Sequence, residues 1–533
     1  MLLVSSLFLS LAAQTLAAGS INWHTNCKSI SNVSSVPLNC ANFSVPLDYT
    51  DAKSKKTLNL TLVRIDAVKK PVKGSILFNP GGPGDSAVRL VADGPQELLA
   101  FTGGHFNIIG FDSRGVNKTL PYACFKPGQA DLFAPVLLNS SDTALGQNFA
   151  NAEIQASLCQ EATKDFGELV GTAFVARDMA RIVDALGEDG LLRYWGFSYG
   201  TVLGATFSAM FPNKVGRVVL DGNVNVHDYY AGQTAGNVEK LDDVVAGFYS
   251  GCVSSSRCAL ARTTQDANNL ANIVENTLES LKFTPIPLVV KGTPLVLDYT
   301  TVKNLMFTSM YKISEWSTLS QVLQGLVSGN ITEVVGAVAA LGGGGVPQIQ
   351  SLFGIECGDG ALRTDNVTDL EPLIARLSEQ SQWGGLDSGV TNAIECAPWK
   401  QKAKEVYSGD WQVHTKNPLM LIGSELDPVT PLSNAVNNSA SFSGSAVLNH
   451  NGYGHTSLSQ LSLCTIKAVQ AYLNDGVLPA AGTICQPTVT LFSNQSQAQI
   501  LGLIANSTTA AKDKRDEDHD ILAAVGRLRR RVI

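Results

Sequence analysis

Short apolar runs that end in glycine, proline or other turn residues recur along this chain and constrain its fold more than any other feature. Helical stretches lie between several of these runs, as in 174–187, where apolar side chains recur at helix spacing. Strands that alternate with helices are typical of a mostly parallel sheet covered by helices on both faces. The sequence therefore predicts an α/β fold. The apolar runs are 74–84, 106–115, 191–200, 216–222, 418–428 and 445–455.

Residues 225–405 break this rhythm because their pattern is mostly helical and short buried strands are scarce. We interpret them as a helical cap inserted into the α/β core, and an independent second domain is the alternative. The core then has two parts, 19–224 and 406–505. The charge-segregated segment 506–533 is expected to be a disordered tail.

Residues 1–18 form an apolar run that ends in small residues, which is typical of a secretory signal peptide. A membrane anchor is the alternative, but the run is short for a span, so we expect secretion without stable membrane insertion. A composition of 44% hydrophobic and 16% charged residues over 533 positions suits a globular protein with a sizeable core. The net charge of −7, without a dominant basic block in the body of the chain, argues against nucleic acid as a partner. The oligomeric state stays open.

Cysteines and glycosylation sequons agree with secretion. The ten cysteines are even in number and lack zinc-type spacing, which favours disulfides in a secreted chain. Pairing of neighbours is the simplest arrangement: Cys27–Cys40, Cys124–Cys159, Cys252–Cys258, Cys357–Cys396 and Cys464–Cys485. N-glycosylation is expected at the Asn-x-Ser/Thr sequons. These are Asn32, Asn42, Asn59, Asn117, Asn139, Asn330, Asn366, Asn437, Asn494 and Asn506.

A Gly-x-Ser-x-Gly motif at 196–200 lies between a plausible strand and a plausible helix. A sharp strand-to-helix turn needs small residues because its two backbone segments approach closely. Such a turn lifts the hydroxyl of Ser198 out of the sheet and onto a helix N-terminus, which favours developing negative charge. We therefore predict that Ser198 is an activated nucleophile.

A serine nucleophile needs a base that takes its proton and an acid that orients the base. With this turn, the acid and then the base follow the serine in the chain. His455 lies in a glycine-rich loop after an apolar run and is the predicted base, whereas His450 ends that run and is interpreted as structural. Asp427, which lies between an apolar strand and a turn, is the predicted acid. Its rivals are Glu425 and Asp221.

An oxyanion hole needs backbone N–H groups directed at the developing charge. The N–H of Tyr199, directly after the nucleophile, is one expected donor. The loop "NPGGPG" (79–84) follows an early buried strand and offers Gly82 as the second donor. This chemistry requires no metal and no cofactor.

Several stretches together resemble one family, the α/β-hydrolase peptidases related to prolyl aminopeptidase, and most of all the secreted tripeptidyl-aminopeptidase-like branch. The resemblance covers about 36–487 of the chain. It implies an α/β-hydrolase fold with a helical cap and the release of short peptides, tripeptides, from a free N-terminus. The matching stretches are "NPGGPG", "GFDSRG", "DMARIVDALG", "YWGFSYGTVLG", "FPNKVGRVVLDG", "GSELDPVTP", "NGYGH" and "LCTIKAVQAYLNDGVLPAAGTIC".

The resemblance implies a catalytic triad of Ser198, Asp427 and His455, and it also supports the disulfide that closes the last matching stretch. The chain departs from the family at Thr456, where glycine often follows the histidine. Asp112 and Arg114, within "GFDSRG", are interpreted as a structural pair that orders their loop, and Trp195 beside the serine turn as core packing.

Cap carboxylates bind the substrate's ammonium group in related aminopeptidases, and Glu356 and Asp359 are the candidates here. The stretch that carries them, 355–360, resembles its family counterpart only loosely. Surface charge beside a disulfide is the alternative interpretation of both residues. The peptidase specificity therefore depends more on the resemblance than the hydrolase chemistry does.

Two other functions remain open from the sequence. A carboxylesterase or small-metabolite hydrolase would use the same triad on a small ester or amide. A catalytically inactive hydrolase-fold protein would use the cavity for binding, although the intact triad argues against it. The expected partners are therefore a peptide or a small ester or amide substrate.

Overall fold

The computed structural model describes residues 19–31, 34–125, 135–233, 235–290, 292–341 and 349–493. The signal peptide expected at 1–18 and the tail expected at 506–533 lie outside these residues. The same holds for the end of the second core part, beyond residue 493. Within the described residues, no helix combines the length and apolarity needed to cross a membrane.

A sheet of nine strands forms the centre of the structure, in the order β1-β2-β4-β3-β5-β6-β9-β10-β11. The first two strands pair antiparallel with their neighbours, and every other pair in this sheet is parallel. Strands β7 and β8 form a separate antiparallel hairpin. The strands are Asn39–Pro46 (β1), Thr57–Ile65 (β2), Ser75–Asn79 (β3), Asn107–Phe111 (β4), Leu192–Phe197 (β5), Val215–Asp221 (β6), Ile286–Val290 (β7), Thr293–Leu297 (β8), Met420–Gly423 (β9), Ala446–His450 (β10) and Ile484–Cys485 (β11).

The central parallel strands are buried along most of their length, and β3 and β9 have every residue buried. Helices on both faces of a parallel sheet exclude water from its two sides, so these strands are almost continuously apolar. The apolar runs of the sequence correspond to these strands. The structure is therefore the mostly parallel, helix-covered sheet that the sequence predicts.

Sixteen α-helices accompany the strands in the described residues. Helix α4 has the apolar periodicity expected of an amphipathic helix, because its buried residues Val175, Met179 and Ile182 share one face. The helices are Ala87–Asp93 (α1), Pro95–Phe101 (α2), Ala144–Ala162 (α3), Thr172–Ala185 (α4), Tyr199–Met210 (α5), Val226–Ala231 (α6), Leu241–Val253 (α7), Ala267–Ser280 (α8), Tyr299–Met310 (α9), Trp316–Ser328 (α10), Ile331–Leu341 (α11), Ile349–Asp359 (α12), Glu371–Gln380 (α13), Ser388–Cys396 (α14), Leu432–Ala440 (α15) and Leu463–Asp475 (α16).

Helices α6 to α14 and the β7–β8 hairpin all lie between β6 and β9, which are neighbours in the sheet. We call this part of the chain the inserted region. Its buried side chains Phe248 and Trp316 belong to the same apolar cluster as Phe78 and Leu448 of the sheet. A shared core favours an insertion over an independent domain, and the boundaries 225 and 405 remain a prediction.

Five disulfides join the ten cysteines, and their pairing is the neighbour pairing expected from the sequence. One of them, Cys357–Cys396, ties α12 to α14 in the inserted region. Another, Cys464–Cys485, ties α16 to the edge strand β11. Five structural disulfides are typical of proteins that fold in an oxidising compartment.

The expected pairing of Asp112 with Arg114 is wrong. The guanidinium of Arg114 binds the carboxylate of Asp178 on α4, with Nε 2.6 Å from Oδ2, and both side chains are fully buried. Asp112 instead accepts hydrogen bonds from Ser86 and Asn117. Each residue is structural, but the partner of Arg114 lies 64 positions away, beyond any local motif. The interpretation of Trp195 is confirmed, because its ring is buried against Phe78 and Phe197.

The predicted glycosylation sites differ in the solvent exposure of their asparagine side chains. Asn117 is half-buried and its Nδ2 donates to Oδ2 of Asp112 at 2.7 Å. A glycan on this nitrogen would disturb that bond, so the structure argues against the expected glycosylation of Asn117. Asn32, Asn494 and Asn506 lie outside the described residues. The exposed sequon asparagines are Asn42, Asn59, Asn139, Asn330, Asn366 and Asn437.

Candidate active site

Ser198 occupies a strained turn between β5 and α5. Its backbone has φ 55° and ψ −124°, in the positive-φ region that a non-glycine residue seldom adopts. A Cβ atom added to Gly196 would lie 2.3 Å from the carbonyl oxygen of Gly200. A Cβ atom added to Gly200 would lie 2.8 Å from the carbonyl oxygen of Asn79. Both flanking glycines are therefore required by close backbone approach, as the motif predicts.

Neighbouring strands hold the turn in place. The N–H of Ser198 donates to the carbonyl oxygen of Asp221, at the end of β6, over 3.1 Å. Helix α5 begins at Tyr199, so the serine lies at the positive end of a helix. This position at a helix N-terminus favours the negative charge that develops when a serine attacks a carbonyl group.

His455 and Asp427 are in direct contact. The Nδ1 atom of His455 lies 3.0 Å from Oδ2 and 3.1 Å from Oδ1 of Asp427. The hydroxyl of Thr430 donates to Oδ2 of Asp427 at 2.7 Å and lies 2.9 Å from the same Nδ1. Since the hydroxyl proton is directed at the carboxylate, we assign the imidazole proton to Nδ1, which leaves Nε2 free to accept a proton.

Asp427 is held in its ionised form. Burial alone would raise the pKa of its carboxyl, but the charge and hydrogen bond of His455 and the backbone N–H groups of Thr456 and Val429 keep the pKa below its usual value. An ionised acid orients the imidazole and stabilises its charged form. Thr430 was not predicted from the sequence; the Asp-Pro-x-Thr spacing was its only local signal.

The imidazole lies beside the serine turn. An added Cβ at Gly222 would stand 3.4 Å from Cε1 of His455, and the preceding residue, Asp221, holds the serine's N–H. Gly222 has φ +67°, and a side chain there would also meet Thr456 at 2.8 Å. None of the hydrogen bonds in the described part of the chain involves the Ser198 hydroxyl. Such contacts are often loose until substrate binds.

The rivals for acid and base have other partners. Glu425 is exposed, whereas Asp221 accepts two hydrogen bonds from Ser457, one from its N–H and one from its hydroxyl. Burial raises the pKa of Asp221 to about 6, against those bonds. His450 is buried with Nδ1 2.9 Å from the Thr465 hydroxyl, and burial lowers its pKa to about 4. The arrangement favours Asp427 and His455.

The loop expected to form the oxyanion hole packs against the serine turn. An added Cβ at Gly81 would approach Cβ of Ser198 to 2.8 Å and the nitrogen of Tyr199 to 3.3 Å. Gly82 follows with φ +101°, and Gly82, Ser198 and Tyr199 line one cavity. The two expected donors are therefore brought to the same side of the nucleophile.

This cavity has a volume of about 230 Å³ and is roofed by the inserted region. Phe307, Tyr311, Val238 and Leu352 give it apolar walls. Glu356 is the carboxylate that lines it in the described residues. The cavity thus combines the nucleophile with apolar side chains, with polar groups such as Asn392 and with one carboxyl group. Among the described residues, no group of His, Cys, Asp and Glu side chains is arranged to hold a metal ion.

Glu356 and Asp359 lie one turn apart on α12 but differ in surroundings. The oxygens of Glu356 accept from Nδ2 of Asn392, at 2.9 and 3.1 Å, and face the cavity. Asp359 is 2% exposed and accepts hydrogen bonds from Thr172 and Tyr229. Only Glu356 is placed to meet a ligand, and Asn392 is a further residue that the sequence did not indicate.

Burial perturbs both carboxyls. Burial raises the pKa of Glu356 to about 7, with a further rise from the charge of Asp359, while Asn392 opposes it. Burial also raises the pKa of Asp359 to about 6, against the hydrogen bonds of Thr172 and Tyr229. Glu356 is half-buried and its one hydrogen-bond partner is neutral, so a cationic ligand would offset the hydration that its carboxylate has lost.

Comparison with known proteins agrees with this geometry. A family model described as "alpha/beta hydrolase fold" matches residues 74–320, and one described as "TAP-like protein" matches residues 386–485. Together they cover more than half of the chain.

Curated relatives match over nearly the whole chain. The tripeptidyl aminopeptidase of Streptomyces lividans is 26% identical over 510 residues, covering 90% of this chain and 89% of the relative. Serine protease Hip1 of Mycobacterium tuberculosis is 26% identical and covers 87% of this chain and 91% of the relative. Carboxylesterase B of Mycobacterium tuberculosis, also 26% identical, covers 87% and 90%.

The sheet order, the strained serine turn and the family match define this protein as an α/β hydrolase. Within that class, residues 386–485 match the TAP-like proteins. The resemblance to the tripeptidyl-aminopeptidase-like branch, expected from the sequence motifs, is confirmed by the second family model and by the relatives.

Proposed function

We propose that this hydrolase is a secreted serine exopeptidase that removes tripeptides from polypeptides with a free N-terminus. The observation that carries the proposal is that Ser198 and Glu356 line one cavity. A nucleophile and a half-buried carboxylate in the same enclosure suit a substrate whose ammonium group lies a short distance from the bond to be cut.

In the proposed reaction, Oγ of Ser198 attacks the carbonyl carbon while Nε2 of His455 takes its proton. The backbone N–H groups of Gly82 and Tyr199 stabilise the resulting oxyanion. Collapse of the tetrahedral intermediate breaks the C–N bond, and His455 returns the proton to the leaving amine. Water, activated by the same imidazole, then hydrolyses the acyl-enzyme, and Asp427 orients His455 throughout.

We assign the ammonium contact to Glu356, because it faces the cavity. Asp359 supports this site indirectly, since its hydrogen bonds to Thr172 and Tyr229 hold the inserted region on the serine turn. Thr172 in turn contacts the hydroxyl of Tyr199 at 2.6 Å. The two predicted substrate-binding residues therefore have different roles in this proposal.

Secretion is supported by the apolar segment at 1–18 and by the five disulfides. We propose glycosylation at the exposed sequons, with Asn117 excluded. The tripeptide length is proposed from the name of the Streptomyces relatives alone.

A secreted carboxylesterase is the second candidate, because one relative is named carboxylesterase B and the cavity has apolar walls. An inactive binding protein is the third. Two matched substrates separate them: a tripeptide with a free N-terminus on an amide-linked chromophore, and the same tripeptide acetylated. We expect cleavage of the free form alone. Hydrolysis of a simple ester without cleavage of either amide would support the esterase, and failure to react with a fluorophosphonate probe would support the binding protein.

A further inference from the structure

The connection between α9 and α10 lies directly against the loop that carries His455. We call residues 311–313 the bridge, since they join the inserted region to this loop. The carbonyl oxygen of Tyr311 accepts a hydrogen bond from the N–H of His455 at 2.9 Å. The N–H of Ile313 donates to the hydroxyl of Ser459 at 3.3 Å. Two backbone groups of the bridge are therefore fixed to the histidine loop.

Aromatic contacts continue the same interface. The ring of Trp316 packs edge-on against Tyr453, with centroids 5.6 Å apart, two residues before the histidine. Gly454 has φ +90°, and an added Cβ there would stand 2.7 Å from the Tyr311 carbonyl oxygen. The approach is so close that only glycine fits, which shows how tightly the bridge covers the loop.

The Tyr311 side chain touches the imidazole itself. The two ring centroids lie 5.1 Å apart with an interplanar angle of 74°, an edge-to-face arrangement. The same tyrosine ring lines the cavity that holds Ser198, and it packs against Phe307 of α9. One side chain of the inserted region thus contacts both the proposed base and the space for substrate.

We propose that Tyr311 is a positioning residue that holds the imidazole of His455 in the orientation for proton transfer with Ser198. The inference deepens the proposed function and rests on its serine–histidine pair. The hydrogen bonds of Asp427 and Thr430 hold the imidazole at Nδ1, which is one edge of the ring. The edge-to-face contact with Tyr311 supports the ring from the side of the inserted region.

Lys312 extends the bridge toward the oxyanion loop. Its side chain is buried, and its charge opposes the rise to about 6 that burial causes in the pKa of Asp85. Asp85 directly follows the glycine-rich loop 79–84 and donates its N–H to Gly81.

The variants Tyr311→Phe, Tyr311→Ala and Leu352→Ala separate positioning from cavity shape. Leu352 lines the same cavity, and none of the described contacts links it to His455. With a small activated ester, we expect Tyr311→Ala to lower kcat about tenfold or more at nearly constant KM. The rate of fluorophosphonate labelling should fall in parallel. Tyr311→Phe should restore both rates, and Leu352→Ala should change KM and not kcat.

A change confined to KM in Tyr311→Ala, as in Leu352→Ala, would overturn the inference. If Tyr311→Ala does not fold, Tyr311→Leu replaces it, since leucine keeps apolar volume without a ring, and the same outcomes apply. Ser198→Ala distinguishes failure of the proposed function from failure of the positioning role. Turnover that survives in Ser198→Ala contradicts the proposed function, whereas a dead Ser198→Ala beside a fully active Tyr311→Ala contradicts the positioning role alone.

Discussion

The Nδ1 atom of His455 lies 3.0 Å from Oδ2 of Asp427, and both side chains are buried. The contact joins a loop after β10 to a loop after β9, two strands that are adjacent and parallel in the sheet. Since parallel strands carry their C-terminal loops at one edge, the sheet itself brings acid and base together next to Ser198. The proposed catalytic group is thus built on rigid elements.

Ser198→Ala should abolish turnover. Without the hydroxyl no acyl-enzyme forms, so we expect kcat/KM to fall by about four orders of magnitude or more. Thermal unfolding should be nearly unchanged, because the substitution removes one oxygen from a cavity wall. Fluorophosphonate labelling followed by peptide mapping checks the assignment, and label on a peptide without Ser198 would contradict it.

Thr430→Val should slow the chemical step. Valine keeps the shape but removes the hydroxyl that bonds to both Asp427 and His455. Loss of a hydrogen bond to a charged group costs about 2 kcal/mol, which corresponds to a fall in kcat of about thirtyfold. Thr430→Ser retains the hydroxyl and is the matched control. Equal kcat values for the two variants would show that the hydroxyl has no part in orienting the base.

The pH dependence of KM should reveal Glu356. The ionised carboxylate binds the ammonium group, and its pKa is raised to about 7. As the pH falls through 7, the carboxyl takes up a proton and KM for the free tripeptide should rise. A simple ester has no ammonium group and serves as the control. A rise in KM of the same size for the ester would contradict the assignment.

Glu395→Gln should stabilise the fold on the alkaline side. Glu395 is 2% exposed and its oxygens accept from Nε2 of Gln155. Burial raises its pKa to about 8 in the folded state. Stability from such a group is present below the unfolded pKa and is lost as the pH rises through 8. We expect a gain of about 4 kcal/mol at pH 9 relative to pH 5.

Thermal unfolding at the two pH values measures this difference. Glu379→Gln is the matched control, because Glu379 lies exposed on α13. An equal effect of both substitutions would show that burial of Glu395 is not the cause.

The sequence predicted the parts of the site that depend on local pattern. The Ser198 turn, Asp427 and His455 each follow a short apolar run, and such runs identify strand ends in a parallel sheet. The five disulfides also followed neighbour order. In these cases the functional residue lies within a few positions of the sequence pattern that predicts it.

The parts that were missed depend on contacts across the chain. Arg114 pairs with Asp178 on α4, and Tyr311 meets His455 from an inserted helix connection. Glu356 and Asp359 share a helix, but only Asp359 accepts hydrogen bonds from Thr172 and Tyr229. These distant partners give the two carboxyls different roles. No periodicity or motif carries information about which distant side chain will fill a given space.

The most direct test of the account is the ratio of kcat/KM for the free tripeptide amide to that for its acetylated form, measured in the wild type and in Glu356→Gln. We expect a high ratio in the wild type that falls by about tenfold to a hundredfold in the variant, with activity toward a simple ester retained. A ratio near one in the wild type, or a high ratio that survives in Glu356→Gln, would contradict it.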